Sequence, residues 1–166
     1  MELKITYLET AGLVPYANNA RTHSEAQVAQ IAASIKEFGF TNPVLIDENK
    51  GIIAGHGRVM AAELLGMGTV PCITLESLSA KQKRAYVIAD NKIALGSSWD
   101  AELLAIEFKE LEADGFDLAL TGFDIADLDK VMVSVEVAKS SAKEIYVDDI
   151  LLDHKCPKCG FEFDGK

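Results

Sequence analysis

Cysteine, proline and tryptophan are scarce in this chain of 166 residues, which contains three Cys, four Pro and one Trp. Three cysteines are too few for the disulfide framework of a small secreted domain. No apolar run approaches the roughly 20 residues that a transmembrane helix requires. The N-terminus also lacks the basic start, apolar stretch and cleavage site of a signal peptide. We therefore expect a cytoplasmic protein with no membrane association.

The composition is that of a folded domain. Hydrophobic residues make up 49% and charged residues 25% of the chain, which excludes a disordered or collagen-like protein. The length accommodates one ordinary domain and a small appendage. We find no internal repeat.

Positive charge is scarce in the second half of the chain. Residues 1–97 hold nine Lys or Arg and nine Asp or Glu, so the formal net charge of -10 lies entirely in residues 98–166. Residues 98–133 hold two basic and ten acidic residues. A protein that binds DNA through its phosphates needs clustered positive charge. We therefore interpret 98–133 as an interaction or packing element rather than a DNA reader.

Short apolar runs and helical periodicities alternate along the chain and predict an α+β fold. The clearest helix lies between Ser24, a typical N-cap, and Gly39, a typical C-terminal glycine. Pro71 near the start of its strand predicts an edge strand or a first-residue position. The predicted strands cover 3–7, 43–47, 51–54 and 70–75, and the predicted helices cover 25–38, 59–65, 79–90, 98–114 and 124–132.

These elements divide the chain into four predicted parts. Residues 1–97 form the main domain with a small mixed sheet and flanking helices, and residues 98–133 form an acidic helical extension. Residues 134–145 are small and polar, which predicts a linker, and residues 146–166 form a tail with a Cys-x-x-Cys knuckle.

A glycine turn, Gly55-His56-Gly57-Arg58, joins a predicted strand to a predicted helix. Glycines let backbone N–H groups approach an anion, and a helix N-terminus adds unsatisfied donors. Arg58 adds a guanidinium that fits phosphate oxygens. The alternative is a plain tight turn with Arg58 solvated or paired to a carboxylate. His56 also has two interpretations. It either contacts a phosphate or transfers a proton there, or it caps the turn and has no chemical role.

Several segments of residues 1–97 resemble the ParB/sulfiredoxin superfamily in the right order. They are Asn19-Ala-Arg21, the helix from Ala29 to Gly39 with the following Pro43-Val44, the run from Ile52 to Arg58, and the run from Arg84 to Lys92. The subgroup that the chain resembles most is the ParB-like domain of phages and mobile elements, associated with DNA methyltransferases. Leu120-Thr-Gly-Phe123 is similar to that subgroup as well.

The resemblance implies a nucleotide pocket with magnesium. Chromosome-partitioning members bind CTP, sulfiredoxins bind ATP, and some related members are small-molecule kinases. It implies that Asp90 and Asn91 coordinate Mg²⁺, and both supply the hard oxygen ligands that this ion prefers. The nucleotide would contact Arg21, Gly55, His56, Gly57 and Arg58, of which His56 and Arg58 are the candidate catalytic residues.

The chain departs from the family pattern at three positions. Members that hydrolyse CTP have Gly-Glu-Arg-Arg where this chain has Gly-His-Gly-Arg, and a further family arginine falls on Ala94. Sulfiredoxins place their catalytic cysteine at the position of His56, which argues against a sulfinic-acid reductase. Cys72 follows in the next strand, where it is expected to be a core thiol.

Cys156-Pro-Lys-Cys159-Gly160 has the spacing of a zinc knuckle, and His154 is a candidate third ligand. A fourth ligand would come from Cys72 or from a second chain, which would make a homodimer; a truncated site that binds weakly is the third alternative. A redox thiol pair lacks the context of a thioredoxin-like fold.

Two functions remain open from the sequence. The first is an NTP- and magnesium-binding protein of phage or mobile-element DNA metabolism, with NTPase, kinase or nuclease activity undecided. The second is a non-catalytic nucleotide- or DNA-associated adaptor whose acidic helices and tail dock a partner such as a DNA methyltransferase.

Overall fold

A computed structural model describes residues 3–141, 154–155, 157–158 and 162–163 of the chain. It confirms the α+β architecture, with one small mixed sheet and helices around it. The strands are β1 (Ile5–Glu9), β2 (Val44–Ile46), β3 (Ile52–Ala54), β4 (Thr69–Thr74), β5 (His154–Lys155) and β6 (Glu162–Phe163), and the helices are α1 (Glu25–Phe38), α2 (His56–Leu64), α3 (Ala80–Ala94), α4 (Ala101–Ala113) and α5 (Ile125–Ser141). Short 3₁₀ helices occur at Thr10–Gly12 and Leu118–Thr121.

The main sheet has the strand order β1-β4-β2-β3. β2 runs parallel to β4, whereas β1 with β4 and β2 with β3 are antiparallel. The prediction of an edge position for the strand of Pro71 is therefore wrong, because β4 lies between two neighbours. Its pairing with β2 begins at Cys72, opposite Val44. The proline thus lies where β4 has only β1 beside it, so its missing N–H falls outside the ladder with β2.

The core of the domain lies between this sheet and α2. Ile46 and Val44 of β2 are almost completely inaccessible to solvent, and Cys72 of β4 is buried beside them. Burial of an Ile or Val side chain contributes about 1.5–3 kcal/mol each relative to exposure. Burial also raises the pKa of the Cys72 thiol. This cysteine is therefore an inert core residue, as its sequence position predicted.

α1 packs against α2 through small side chains. Val28 and Ala32 of α1 are buried together with Ala61 of α2. The predicted bounds of α1 are confirmed: the Ser24 hydroxyl accepts the N–H of Gln27, and Gly39 ends the helix with φ 80°. α1 thereby holds the N-terminus of α2 from one side.

α3 and α5 are both longer than the sequence pattern predicted. α3 begins at a capping box between Ser79 and Gln82 and continues to Ala94 instead of ending near Asp90. α5 begins after Asp124 and continues to Ser141 instead of ending at Met132. It therefore covers the first eight residues of the predicted linker, where small polar residues favour a loop but do not break a helix.

α4 and α5 pack on each other, and the segment that joins them packs on α1. The Asp100 carboxylate caps α4 by accepting the N–H groups of Glu102 and Leu103. The Phe108 ring meets the Phe123 ring edge to face at a centroid distance of 5.1 Å. The Phe38 ring of α1 stacks on Phe116 at 6.0 Å. The acidic segment is thus packed against the sheet domain through aromatic side chains.

None of the helices in the described ranges is long and apolar enough to cross a membrane. In the tail, β5 and β6 pair antiparallel, with His154 opposite Phe163. Cys156 and Cys159, the predicted zinc ligands, lie outside the described residues.

Candidate functional site

Three segments of the chain place the predicted site residues around one cavity of about 180 Å³. They are the loop before α1, the N-terminus of α2 and the C-terminal half of α3. All seven residues that the sequence predicted for the nucleotide and magnesium line this cavity: Arg21, Gly55, His56, Gly57, Arg58, Asp90 and Asn91. Asn19, His23 and Ile31 complete its wall. The fold therefore brings the predicted set together from positions up to 70 residues apart.

α2 begins earlier than predicted, at His56, so the glycine motif is itself the first turn of the helix. Gly55 is the N-cap residue and adopts the left-handed conformation, with φ 101° and ψ 21°. The first N–H groups of a helix have no partner within the helix. In α2 these groups lie at the cavity, where they and the positive end of the helix dipole favour an anion.

Replacement of Gly55 by alanine is expected to destabilise the fold by about 1–2 kcal/mol, because a Cβ makes the left-handed conformation unfavourable. The new Cβ would also lie 3.1 Å from Nε of Arg58 and displace that side chain. Urea denaturation measures the first effect. As a control, Gly66→Ala meets the same backbone penalty, with φ 66° and no neighbouring atom within 4 Å. A Gly55→Ala variant as stable as the wild type would contradict the left-handed conformation of this residue.

Gly57 serves close packing rather than an exposed approach to an anion. It is buried, and a Cβ at this position would come within 2.9 Å of Cδ1 of Ile31 and 3.0 Å of Cε1 of His23. The absence of a side chain therefore lets α1 and the His23 ring contact the first turn of α2. The His23 Nδ1 lies 2.9 Å from Oε1 of Gln27, which fixes the ring against α1.

His56 is tied to the loop before α1. Its Nε2 accepts a hydrogen bond from the backbone N–H of Tyr16 at 3.3 Å. Acceptance requires an unprotonated Nε2, and hence the neutral tautomer with the proton on Nδ1. Burial, followed by repulsion from His23, lowers the pKa of His56 below its usual 6.5. The imidazole therefore holds the Tyr16 loop next to α2 as a neutral group.

This lowered pKa predicts a specific dependence of stability on pH. Because the folded state binds the proton less readily than the unfolded chain, the contribution of His56 is complete above pH 6.5 and is lost as the pH falls from there through its folded pKa. We expect the NMR titration midpoint of His56 to lie below 6.5, and its protonation to shift the Tyr16 amide signal. A midpoint above 6.5, or an unchanged Tyr16 signal, would contradict the hydrogen bond.

Arg58 supplies a partly buried positive charge to the cavity. Its guanidinium folds over Gly55, close to the start of its own helix. Burial lowers the pKa of Arg58, an effect opposed by the charge of Asp90. Within the described part of the chain, no carboxylate lies within the 4.0 Å of an ion pair with Arg58. Arg58 is therefore not paired to a carboxylate within the described residues. Its guanidinium is available to an external anion.

Arg21 reaches the same cavity from the loop before α1. Its backbone N–H donates to Oδ1 of Asn19 at 3.1 Å, so the Asn19 side chain closes a local turn. Such Asx turns give a loop a defined backbone without regular secondary structure. Arg21 and Arg58 thus face one cavity from two independent elements.

The side chains of Asp90 and Asn91 present oxygen atoms that suit Mg²⁺. The Nδ2 of Asn91 donates to the Val87 carbonyl at 2.8 Å, so this nitrogen is engaged and Oδ1 is the atom left to coordinate a cation. Asp90 is exposed on the adjacent position. The described residues contain no cluster of three or more metal-binding side chains. A carboxylate and an amide oxygen fit an Mg²⁺ ion that also binds phosphates, which typically has one or two protein ligands.

A second cavity of about 300 Å³ continues from the first and shares Asn19, Arg21 and Asn91 with it. Its apolar wall comes from Tyr16 and from one face of α3, through Val87, Ile88 and Leu95. Arg84 and Lys92 add two cations. Sequence reasoning did not identify Tyr16 or His23 as site residues, because their contacts arise from the packing of the loop and no local pattern marks them.

Comparison with known proteins gives matches over both parts of the chain. A sequence model of the ParB N-terminal domain matches residues 2–92, and one of the ParB-methyltransferase HTH (helix-turn-helix) domain matches residues 102–153. The ParB-like nuclease domain-containing protein YnaK of Escherichia coli is 63% identical over 83 residues, which are 50% of this chain and 95% of that protein. The probable chromosome-partitioning protein ParB of Treponema pallidum is 33% identical over 92 residues, 52% of this chain but only 28% of that protein.

One solved structure has a similar fold over most of the chain. It is the C-terminally truncated chromosome-partitioning protein ParB from Caulobacter crescentus, complexed with CTP-gamma-S. It aligns with a TM-score of 0.65 and 21% identity, over 80% of this chain and 79% of that chain. The helix-turn-helix match overlaps residues 98–133, which the sequence analysis interpreted from their negative charge as an interaction or packing element. The acidic helices are similar to a helix-turn-helix domain despite that charge.

Proposed function

The chain belongs to the ParB N-terminal domain family, and on this premise we propose that it binds a nucleoside triphosphate with Mg²⁺ in the cleft formed by the loop before α1, α2 and α3. This cleft comprises the two connected cavities described above. The observation that carries the proposal is the positive charge of the residues that line the cleft. The net charge of the chain is -10, yet the cleft is lined by four cationic residues, Arg21, Arg58, Arg84 and Lys92. Asp90 is the one acidic residue among the residues that line it.

The smaller cavity suits the phosphates. It combines the N–H groups at the start of α2 with two guanidinium groups, Arg21 and Arg58. Each of these features favours an anion, and together they favour a ligand with several negative oxygens. The neutral His56 holds Tyr16 beside this cavity and adds no charge. His56 is therefore proposed as a positioning residue for the loop, and Arg58 as the main phosphate contact.

The larger cavity suits the nucleoside. Tyr16 offers an aromatic ring, and Val87, Ile88 and Leu95 offer an apolar wall. Ligand sites with an apolar wall and a few polar groups are typical of small-molecule recognition. The side-chain amides of Asn18 and Asn19 are the hydrogen-bonding groups available to a base or sugar.

A bound Mg²⁺ would be held by Asp90 and Asn91, where it would neutralise phosphate charge. The protein contributes the orientation of these ligands, since the Asn91 amide is anchored to Val87 in the preceding turn of α3. The Caulobacter ParB structure contains a CTP analogue, which makes CTP the first nucleotide to test. The relatives and the helix-turn-helix match support a role in DNA metabolism; its phage or mobile-element setting and a methyltransferase partner stay predictions.

A thermal-shift panel of CTP, ATP, GTP and ADP, each with and without Mg²⁺, tests the proposal. A ligand at one hundred times its dissociation constant stabilises the fold by about 2.7 kcal/mol, which shifts the melting temperature by several degrees. We expect one nucleotide to stabilise the chain more than the others, and Asp90→Asn to reduce the part of the shift that depends on Mg²⁺. No shift with any nucleotide would contradict the proposal. Phosphate release from the nucleotide that binds distinguishes an NTPase from a binding protein.

A further inference from the structure

We propose that a groove on the acidic helices docks a basic amphipathic segment of another protein. The groove lies between the 3₁₀ helix Leu118–Thr121 and the first turn of α5, and it encloses about 720 Å³. It shares no lining residue with the nucleotide cleft, so the proposal does not depend on nucleotide binding.

The floor of the groove is apolar and open to solvent. Leu118, Phe123, Ile125 and Leu128 line it, and Ile125 is 79% exposed. Trp99 extends the apolar surface: its ring meets Phe123 at a centroid distance of 5.5 Å while 71% of the residue is exposed. Covering such side chains is favourable because it removes apolar area from water. The apolar face of an amphipathic helix fits a groove of this kind.

The rim of the groove carries fixed negative charge. Asp117 and Asp124 line it and are exposed. One oxygen of each carboxylate accepts a backbone N–H, from Ala119 at 3.0 Å and from Asp127 at 2.8 Å. The side chains are therefore held in place, and each keeps a second oxygen for a cation. No Lys or Arg is among the residues that line the groove.

The negative charge of the groove indicates which kind of partner it can bind. Residues 98–133 hold ten acidic and two basic residues, so DNA phosphates would be repelled. A second copy would bring like charges together, which is unfavourable. Residues 142–166 of the same chain hold four Lys against six Asp or Glu, so they lack the complementary charge. A segment with cationic residues beside apolar ones complements both the rim and the floor.

Titration of the full chain with a synthetic helical peptide, with lysine on one face and leucine on the other, tests this proposal. Trp99 is the only tryptophan and reports directly on the groove. We expect its emission to shift to shorter wavelength with this peptide and to stay unchanged with a version in which glutamate replaces lysine. Ile125→Glu is expected to weaken binding at least tenfold, since it removes an apolar anchor.

Two matched double variants separate the groove from general attraction to an acidic protein. Asp117→Asn with Asp124→Asn keeps both caps, since Asn caps as well as Asp, and should weaken binding about fivefold. Glu9→Gln with Glu63→Gln changes the net charge equally at exposed sites on β1 and α2 and should leave the affinity unchanged.

Equal weakening by both pairs would overturn the proposal, as would a Trp99 response to duplex DNA in place of the peptide. The same holds if sedimentation shows a dimer that Ile125→Glu dissociates, or if NMR contacts join Ile125 to residues 142–166.

Discussion

Replacement of Arg58 by alanine is expected to weaken nucleoside triphosphate binding by about a hundredfold. A hydrogen bond to a charged group contributes about 1.5–3 kcal/mol, and a guanidinium makes two of them to a phosphate. A loss of about 2.8 kcal/mol corresponds to a hundredfold change in affinity. Isothermal titration calorimetry of the wild type and the variant measures this difference.

The stability of the Arg58→Ala variant separates binding from folding. The guanidinium is partly buried without a carboxylate at ion-pair distance in the described residues, so burial penalises its charge in the folded state. Its removal should leave the free energy of unfolding unchanged or raise it. Arg58→Lys keeps the charge but loses the planar fork, so its affinity should be intermediate. Wild-type affinity in Arg58→Ala would show that the phosphates do not bind at this arginine.

Replacement of Ile46 by alanine is expected to lower the free energy of unfolding by about 3 kcal/mol. Ile46 is 1% exposed on β2, the strand between β4 and β3, and is among the largest fully buried side chains in the described residues. Truncation of a buried Ile typically costs about 2–5 kcal/mol, because the lost transfer free energy adds to the cost of a cavity. A domain of ordinary stability, roughly 5–15 kcal/mol, loses a large share of it.

Urea denaturation measures this effect through the midpoint of the transition. Its slope should be unchanged if both variants unfold in two states. Ile46→Val is the matched control and should cost about 0.5–1.5 kcal/mol, since only one methylene is removed. The nucleotide affinity of the folded fraction should equal that of the wild type, because Ile46 does not line the cleft. A loss below 1 kcal/mol for Ile46→Ala would contradict the assignment of β2 to the core.

Local signals in the sequence predicted the elements whose ends are fixed by their own residues. α1 has the predicted bounds because Ser24 and Gly39 set both ends. β2 and β3 lie within the predicted strands 43–47 and 51–54 for the same reason, since the turn at Asn49-Lys50-Gly51 separates them. The position of β4 inside the sheet was not predictable, because strand order depends on pairing between distant segments.

The candidate site shows the same division. Its predicted residues, supplied by motif resemblance, do meet in one cavity. The part played by each residue required the structure. Gly57 contacts α1, and the Nε2 of His56 accepts a hydrogen bond from the Tyr16 backbone. The spacing of the glycine motif predicts neither contact. His23 escaped prediction because it reaches the site through packing on Gly57.

The central claim is that a nucleoside triphosphate lies against the start of α2, and NMR chemical-shift mapping with the nucleotide that stabilises the chain most tests it directly. We expect the largest amide shifts at Arg21, at Gly55–Arg58 and, only when Mg²⁺ is present, at Asp90 and Asn91. The core residues Val44 and Ile46 should remain unshifted. Shifts confined to other parts of the chain, or no shifts at saturating nucleotide, would contradict it.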